Sequence, residues 1–397
     1  MAKNTHLEHL EDDIFNNGYA GAQNALAFLK SLRDMLTAGN SNSETKVTVK
    51  WDGAPAIFCG TDPQTGLFFV GTKSVFAKTE SKACFSEEQI DYYYGDHPIK
   101  DKLKQCYRLL KKLPINGVLQ GDLLFTSTPP KVTMGGKKCY KFRPNTITYC
   151  VEADTALGKK VGAADLGIVF HTHYKGASLP EMNAGFGVDV SGLQGVKEVA
   201  VFSATFENIG GKANLSKTEL TKLNNSIRVA ERNLGQGKNF LNAVGGGTKS
   251  FDYAAVFKIY FNDVIRRGVI PSNAQAMTVG FMTFLATRYD KEIAKKKTEK
   301  SVKDWEKKKA DAIKYLNTNK NTIYASLSGF KNLMTAKQQI IERLKKIEGV
   351  GTFLEDENGY RVTSPEGFVA IKDGTAMKLV DRLEFSRANF TVAKDWG

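Results

Sequence analysis

The segment "KVTVKWDGAP", residues 46–55, places Lys50 and Asp52 two positions apart at the end of an alternating run. Alternation of Lys and Thr with Val is the pattern of a half-buried strand, and residues two apart on a strand point to one face. Gly53 follows, and a glycine there lets a ligand approach the backbone closely. Two chemistries are open. Lys50 and Asp52 could form a surface ion pair at a hairpin turn, or Lys50 could be a nucleophile. A nucleophilic lysine must be neutral, which near pH 7 requires desolvation, a neighbouring cation or a metal.

The elements that would position such a lysine follow from the texture of the chain. Residues 1–45 read as helices, since "HLEHLEDDIF" and "AQNALAFLKSLRDML" carry apolar residues at steps of three and four. From 46 to 175 short β-rich runs take over, among them "APAIFCG", "LFFVGTKSVF", "GVLQGDLLF", "TITYCVE" and "LGIVFHTHY", with one helix, "PIKDKLKQCYRLLKKL". Residues 176–345 read as helical, with Ser and Asn at capping positions, and the glycine runs "NIGGKAN" and "NAVGGGTKS" read as loops. Strand texture returns over 346–397, with "NG" and "DG" as hairpin dipeptides. The strands follow one another too closely to alternate with helices, so the class is α+β. The C-terminal strands are expected to complete the core begun at residue 46, with the helices inserted between.

Composition narrows the function. A net charge of +14 favours polyanionic partners, because lysines and arginines displace counterions from phosphates. The five cysteines show no paired zinc spacing and only five histidines occur, which argues against a zinc hydrolase and for reduced thiols. No signal peptide or apolar run of bilayer length is visible, so a cytoplasmic protein without membrane contact is expected.

Six short motifs recur in order: "KWDG" at 50–53, "GTKS" at 71–74, "LQGDLLF" at 119–125, "GIVFHT" at 167–172, "PEGFVAI" at 365–371 and "AMKLVDR" at 376–382. This succession resembles the covalent nucleotidyltransferase superfamily of ATP-dependent polynucleotide ligases and capping enzymes, and most closely the RNA ligases of tailed phages. The resemblance implies an antiparallel-sheet nucleotidyltransferase core, ATP-grasp-like, with N-terminal helices and a large helical insertion. It also implies a lysyl-AMP intermediate that adenylates a 5′-phosphate before 3′-OH attack, with ATP and Mg²⁺ or Mn²⁺ as cofactors. The partner would be nucleic acid with 5′-phosphate and 3′-OH ends, the protein a monomer, and its role nucleic-acid repair in the host cytoplasm if phage-encoded.

By that resemblance Lys50 is the nucleophile, and Asp52 and Gly53 complete its motif. Lys73 matches a basic residue after it, Asp122 the acidic residue near ribose or metal, and Phe170 the ring that stacks on the base, with Tyr149 as competitor. Glu366 matches the metal-coordinating glutamate and Lys378 the lysine on the α-phosphate. The last motif departs from the family at Val380, which replaces a second lysine and leaves Lys378 or Arg382 to hold phosphate. The chain also ends soon after this motif, where DNA ligases and capping enzymes carry an oligonucleotide-binding barrel, and this favours the RNA-ligase type. Lys295, Lys296, Lys297, Lys307, Lys308 and Lys309 form the densest lysine run and are the expected nucleic-acid contacts, against the alternative of a solvated helix face. Two other functions fit the same residues: a basic nucleic-acid-binding protein without catalysis, and a nucleotidyltransferase with a protein or small-molecule acceptor.

Overall fold

The computed structural model describes residues 8–37, 46–134, 136–204, 214–244, 253–271, 273–346, 351–356, 359–363, 367–372 and 375–383. The protein is α+β, with mainly antiparallel sheets. After a 3₁₀ turn at Leu10–Asp12 come α1 (Asp13–Asn16) and α2 (Gly18–Met35); the described part of "HLEHLEDDIF" ends in the 3₁₀ turn and the short α1, and "AQNALAFLKSLRDML" falls in α2 but for its last residue. The first strand-rich part comprises β1 (Lys46–Lys50), β2 (Ala56–Thr61), β3 (Phe68–Gly71), β4 (Val118–Phe125), β5 (Lys131–Met134), β6 (Lys137–Phe142), β7 (Ile147–Glu152) and β8 (Leu166–Lys175). Three helices interrupt it: α3 (Glu87–Tyr94), α4 (Ile99–Leu110) and α5 (Ala156–Val161).

Strand texture does not stop at residue 175. Two further strands, β9 (Asn183–Phe186) and β10 (Val199–Ser203), join the same sheet on β8. The run "VAVFS" of β10 is almost wholly buried because it pairs in parallel with β8, and a continuous apolar run of four has no period that marks it as strand. The helices then follow: α6 (Lys217–Gln236), α7 (Lys238–Val244), α8 (Tyr253–Arg267), α9 (Ala274–Ile293), α10 (Glu299–Thr318) and α11 (Lys320–Leu344). Ser216 caps α6 in a reciprocal box with Glu219, and the Asn273 side chain accepts from Ala276 N–H at the start of α9, as the sequence led one to expect. The C-terminal strands are β11 (Gly351–Asp356), β12 (Gly359–Thr363), β13 (Gly367–Lys372) and β14 (Thr375–Val380). The two hairpin dipeptides and most of both glycine runs lie outside the described residues, but β11 pairs with β12 and β13 with β14, both antiparallel.

Three sheets result. The first is β1-β13-β14; the second runs β10-β8-β4-β2-β3 with β9 beside β8; the third runs β12-β11-β7-β6-β5. The C-terminal strands therefore return to the strands that precede the helices, as expected. The N-terminal helices, by contrast, share their core with the helical region: Phe15 stacks on Phe257 at 4.8 Å and lies 5.3 Å from Phe330. Val47, Phe368, Ala370, Met377 and Leu379 extend that core, so one face of the first sheet closes the helical bundle. All five cysteines are free and buried. Cys59, Cys84 and Cys106 share the apolar layer between α4 and the second sheet, and burial pushes the Cys106 thiol up to about 12. Among the described residues no helix is long and apolar enough to cross a membrane.

A buried ionic cluster ties the N-terminal turn to the helices and to the end of β14. Lys337 of α11 donates to both carboxylate oxygens of Glu11 at 2.8 Å, and Arg382 reaches Asp12 at 2.9 Å and Asn262 at 2.8 Å. Burial alone would raise the Glu11 carboxyl, but Lys337 and Arg382 outweigh it and hold it below the ordinary range. For Asp12 burial wins and pushes it up to about 6. Removing one member strands a buried charge, whereas removing a matched pair does not. Lys337→Met should therefore lower stability by about 3–5 kcal/mol, and Glu11→Gln added to it should recover most of that loss. Urea unfolding of both variants measures the difference; equal stability of wild type and Lys337→Met would refute the coupling.

Candidate active site

The other face of the first sheet looks onto the second across a small cavity. In the register, Lys50 sits opposite Gly367, Thr48 opposite Val369, and Val369 opposite Lys378. Directly paired residues of an antiparallel ladder project to the same face, so Lys50, Val369 and Lys378 share one side of the sheet. From the second sheet Asp122 and Val169 face them, since Asp122 pairs with Val169 across β4 and β8. The cavity measures about 80 Å³ and is lined by Val49, Lys50, Trp51, Asp122, Val169, His171, Phe186, Ala204, Val369 and Ile371. The sheets meet at its floor, where the Val49 N–H donates to the Ala204 carbonyl at 2.6 Å.

His171 is the residue that sequence reasoning missed. Along β8, Thr172 pairs with Gln120 and Phe170 with Gly121, which leaves His171 as the extra residue of a bulge. Val169 and His171 lie two apart on β8 and both face the cavity, but the run before His171 is apolar and buried on both faces, so its period did not say which side meets the cavity. His171 Nε2 lies 3.5 Å from Asp122 Oδ2, and its Nδ1 lies 2.7 Å from Thr172 Oγ1. Phe170 consequently faces the opposite way. It is fully buried in the apolar layer beneath α4, and its ring fills the space beside Gly121, where a Cβ would lie 2.8 Å from Phe170 Cδ1. It is not available to stack on a ligand in the cavity; Phe186 of β9 is the phenylalanine that lines it.

Asp52 is also corrected. Its carboxylate is buried and accepts from Asn145 Nδ2 at 2.7 Å, Thr146 N–H at 2.6 Å and Ile147 N–H at 2.8 Å. It anchors the turn before β7 to the end of β1 and does not reach into the cavity. Tyr149 supports the same join, its hydroxyl accepting from the Asp52 N–H at 2.7 Å, and is buried in the core. Gly53 is required by a close approach of protein to protein: a Cβ there would lie 2.6 Å from the Cβ of Asp122. Gly53 thus sets how near β4 can bring Asp122 to the end of β1.

The remaining expected residues divide. Lys378 is half-buried on β14, and its N–H donates to the Glu8 carbonyl at 2.9 Å. His9, buried beside it, is pushed well below the usual histidine range by burial, with Arg382, Lys337, Lys378 and Lys50 adding to the effect. Lys50 and Lys378 are thus both within electrostatic reach of one neutral imidazole. Arg382 is committed to Asp12 and Asn262 and is no substitute for a phosphate-binding lysine. Lys73 is exposed at the start of a 3₁₀ turn after β3, whose Val75 and Phe76 are buried, and does not line the cavity. Glu366 lies outside the described residues, next to Gly367 opposite Lys50.

The lysine run, in the connection after α9 and on α10, is largely engaged by neighbouring side chains. Lys295 pairs with Glu292 and Lys309 with Asp290, both at 2.6 Å, while Lys296 and Lys308 lie over the Trp305 ring at 4.6 and 4.8 Å. Lys297 and Lys307 are exposed.

This is an α+β protein whose Lys50 motif opens onto a cavity between two sheets. The chain belongs to a family of unknown function, DUF6267, whose model matches residues 4–394. No curated protein and no solved structure matches it.

If Asp52 is an anchor, Asp52→Ala leaves two backbone N–H groups without their acceptor in a buried turn. A stability loss of about 2–4 kcal/mol is expected by denaturant unfolding. A loss below about 0.5 kcal/mol, the range of ordinary surface changes, would remove Asp52 from this role.

Proposed function

We propose that the protein is an ATP-dependent polynucleotide ligase, of the RNA-ligase type, acting through a lysyl-AMP intermediate on Lys50. The observation that carries this reading is the meeting of Lys50 and Asp122 in one cavity from strands far apart in the chain, with Lys378 on the same face of the first sheet as Lys50. The Lys50 amine attacks the α-phosphorus of ATP, forming a P–N bond as the bond to the bridging oxygen breaks and pyrophosphate leaves. The AMP then passes to a 5′-phosphate, and a 3′-OH displaces it to join the strands. Lys378, on the same face as Val369, supplies positive charge to the α-phosphate, since such transfers depend mainly on positioning and charge neutralisation.

A divalent cation fits this site through Asp122, which presents its carboxylate to the cavity; Mg²⁺ is held by one or two carboxylates with waters and phosphate oxygens. When bound, the cation withdraws charge from the phosphate under attack. His171, beside Asp122, holds that carboxylate toward the cavity. Val169, Val369 and Ile371 give apolar walls suited to a planar base.

The cavity, at about 80 Å³, is smaller than the roughly 300–1,000 Å³ of small-molecule sites, so a nucleotide must displace a wall. Phe186 on the four-residue strand β9 is the least tethered candidate for that wall. The same small volume favours a second reading, a nucleic-acid-binding relative without catalysis. The two separate on covalent labelling with α-labelled ATP and GTP, followed by denaturing electrophoresis. The ligase reading expects a Mg²⁺-dependent label with ATP that Lys50→Ala abolishes while the circular dichroism spectrum stays unchanged. Discharge of the label by 5′-phosphorylated strands distinguishes a ligase from a transferase with another acceptor. Absence of label on wild type, or full labelling of Lys50→Ala, would sink the assignment.

A further inference from the structure

Between Leu123 and Val151 the chain contains no Asp or Glu, yet it carries Lys131, Lys137, Lys138, Lys141 and Arg143. This stretch forms the β5–β6 ribbon at the edge of the third sheet. Lys131 pairs with Tyr140 and Thr133 with Lys138, so these four side chains share one face. Lys131, Thr133 and Lys138 are exposed, and the Lys131 ammonium lies over the Tyr140 ring at 5.7 Å. On the other face Lys137 pairs with Glu152 of β7 at 2.6 Å. Past β6 comes exposed Arg143 and then the turn whose Asn145, Thr146 and Ile147 hold the Asp52 carboxylate. The ribbon therefore runs from the edge of the sheet to a turn fastened two residues from Lys50.

From this placement we infer that the β5–β6 ribbon is a binding surface for a single nucleic-acid strand, with Lys131, Lys138 and Arg143 contacting its phosphates on the way to the cavity. The inference deepens the ligase reading and rests on it only in treating that strand as the substrate. Charge complementarity favours this surface over α9 and α10. There the lysines alternate with Asp290, Glu292, Glu299, Asp304, Glu306 and Asp311, and several are already paired. A flexible strand suits the ribbon better than a rigid duplex, because lysines and a ring on a short β-ribbon can follow a backbone that bends toward the cavity.

The test is equilibrium binding of a fluorescent 5′-phosphorylated single-stranded RNA oligonucleotide to the full chain across a salt series, repeated with DNA. The variant Lys131→Ala/Lys138→Ala should bind at least about tenfold more weakly, and its log–log salt slope should fall by about 1.4, as loss of two phosphate contacts requires. Lys131→Arg/Lys138→Arg should restore both quantities. Lys297→Ala/Lys307→Ala should leave binding unchanged. Covalent labelling by ATP should be equal in wild type and the ribbon variant, so failure of the ligase reading shows in the label and failure of this inference in the binding. The inference is overturned if wild type does not bind the oligonucleotide, if the ribbon variant binds as wild type does, or if only the α9–α10 variant loses affinity. It is also overturned if polyglutamate competes as well as RNA at equal charge, since the surface would then fit an acidic protein.

Discussion

The pairing of β1 with β13 is the constraint on which the rest depends. It sets Lys50 opposite Gly367 and Thr48 opposite Val369, and through β14 it brings Lys378 to the same side. A slip of one residue would turn Val47, Phe368 and Leu379 out of the helical core and point the lysines into it. Burial of these apolar side chains thus fixes the register, and the register fixes which groups face the cavity. The sheet acts as a partition, with a helical bundle sealed on one side and polar chemistry admitted on the other. The Glu11–Lys337–Arg382–Asp12 cluster reinforces it from the bundle side, since Arg382 follows β14 directly and Lys337 comes from α11.

Much of this was legible in the sequence, and the exceptions share physical causes. Lys50 and Asp122, which line the cavity, were singled out because strand alternation and motif order survive in the primary structure. Phe170 and His171 exchanged roles because β8 is buried on both faces, so its apolar run did not show whether Phe170 or the alternate pair Val169 and His171 meets the cavity. Asp52 and Gly53 looked like ligand-binding residues because a carboxylate and a glycine at a strand end suit a ligand. They serve a protein neighbour equally well, here the turn at 145–147 and Asp122.

The extent of the strand-rich part was underestimated for a related reason. β9 and β10 are short, and what makes them strands is pairing with β8. The N-terminal helices were expected on the strand core, yet amphipathic periodicity shows that a helix has an apolar face without saying what covers it. Here the answer is the helical region, through Phe15 and its neighbours Phe257 and Phe330.

The separation of β1 from β13 along the chain also has a temporal side. During synthesis β1 leaves the ribosome long before its partner exists, and at about 5–20 residues per second the delay is on the order of tens of seconds. The second sheet can close meanwhile, because β2, β3, β4, β8, β9 and β10 all lie before the helices. The cavity is then among the last features to form, and a chain interrupted anywhere before β13 carries the lysine motif without the wall that gives it a chemical environment. A nascent chain of this design lacks the assembled cavity until β13 has been made.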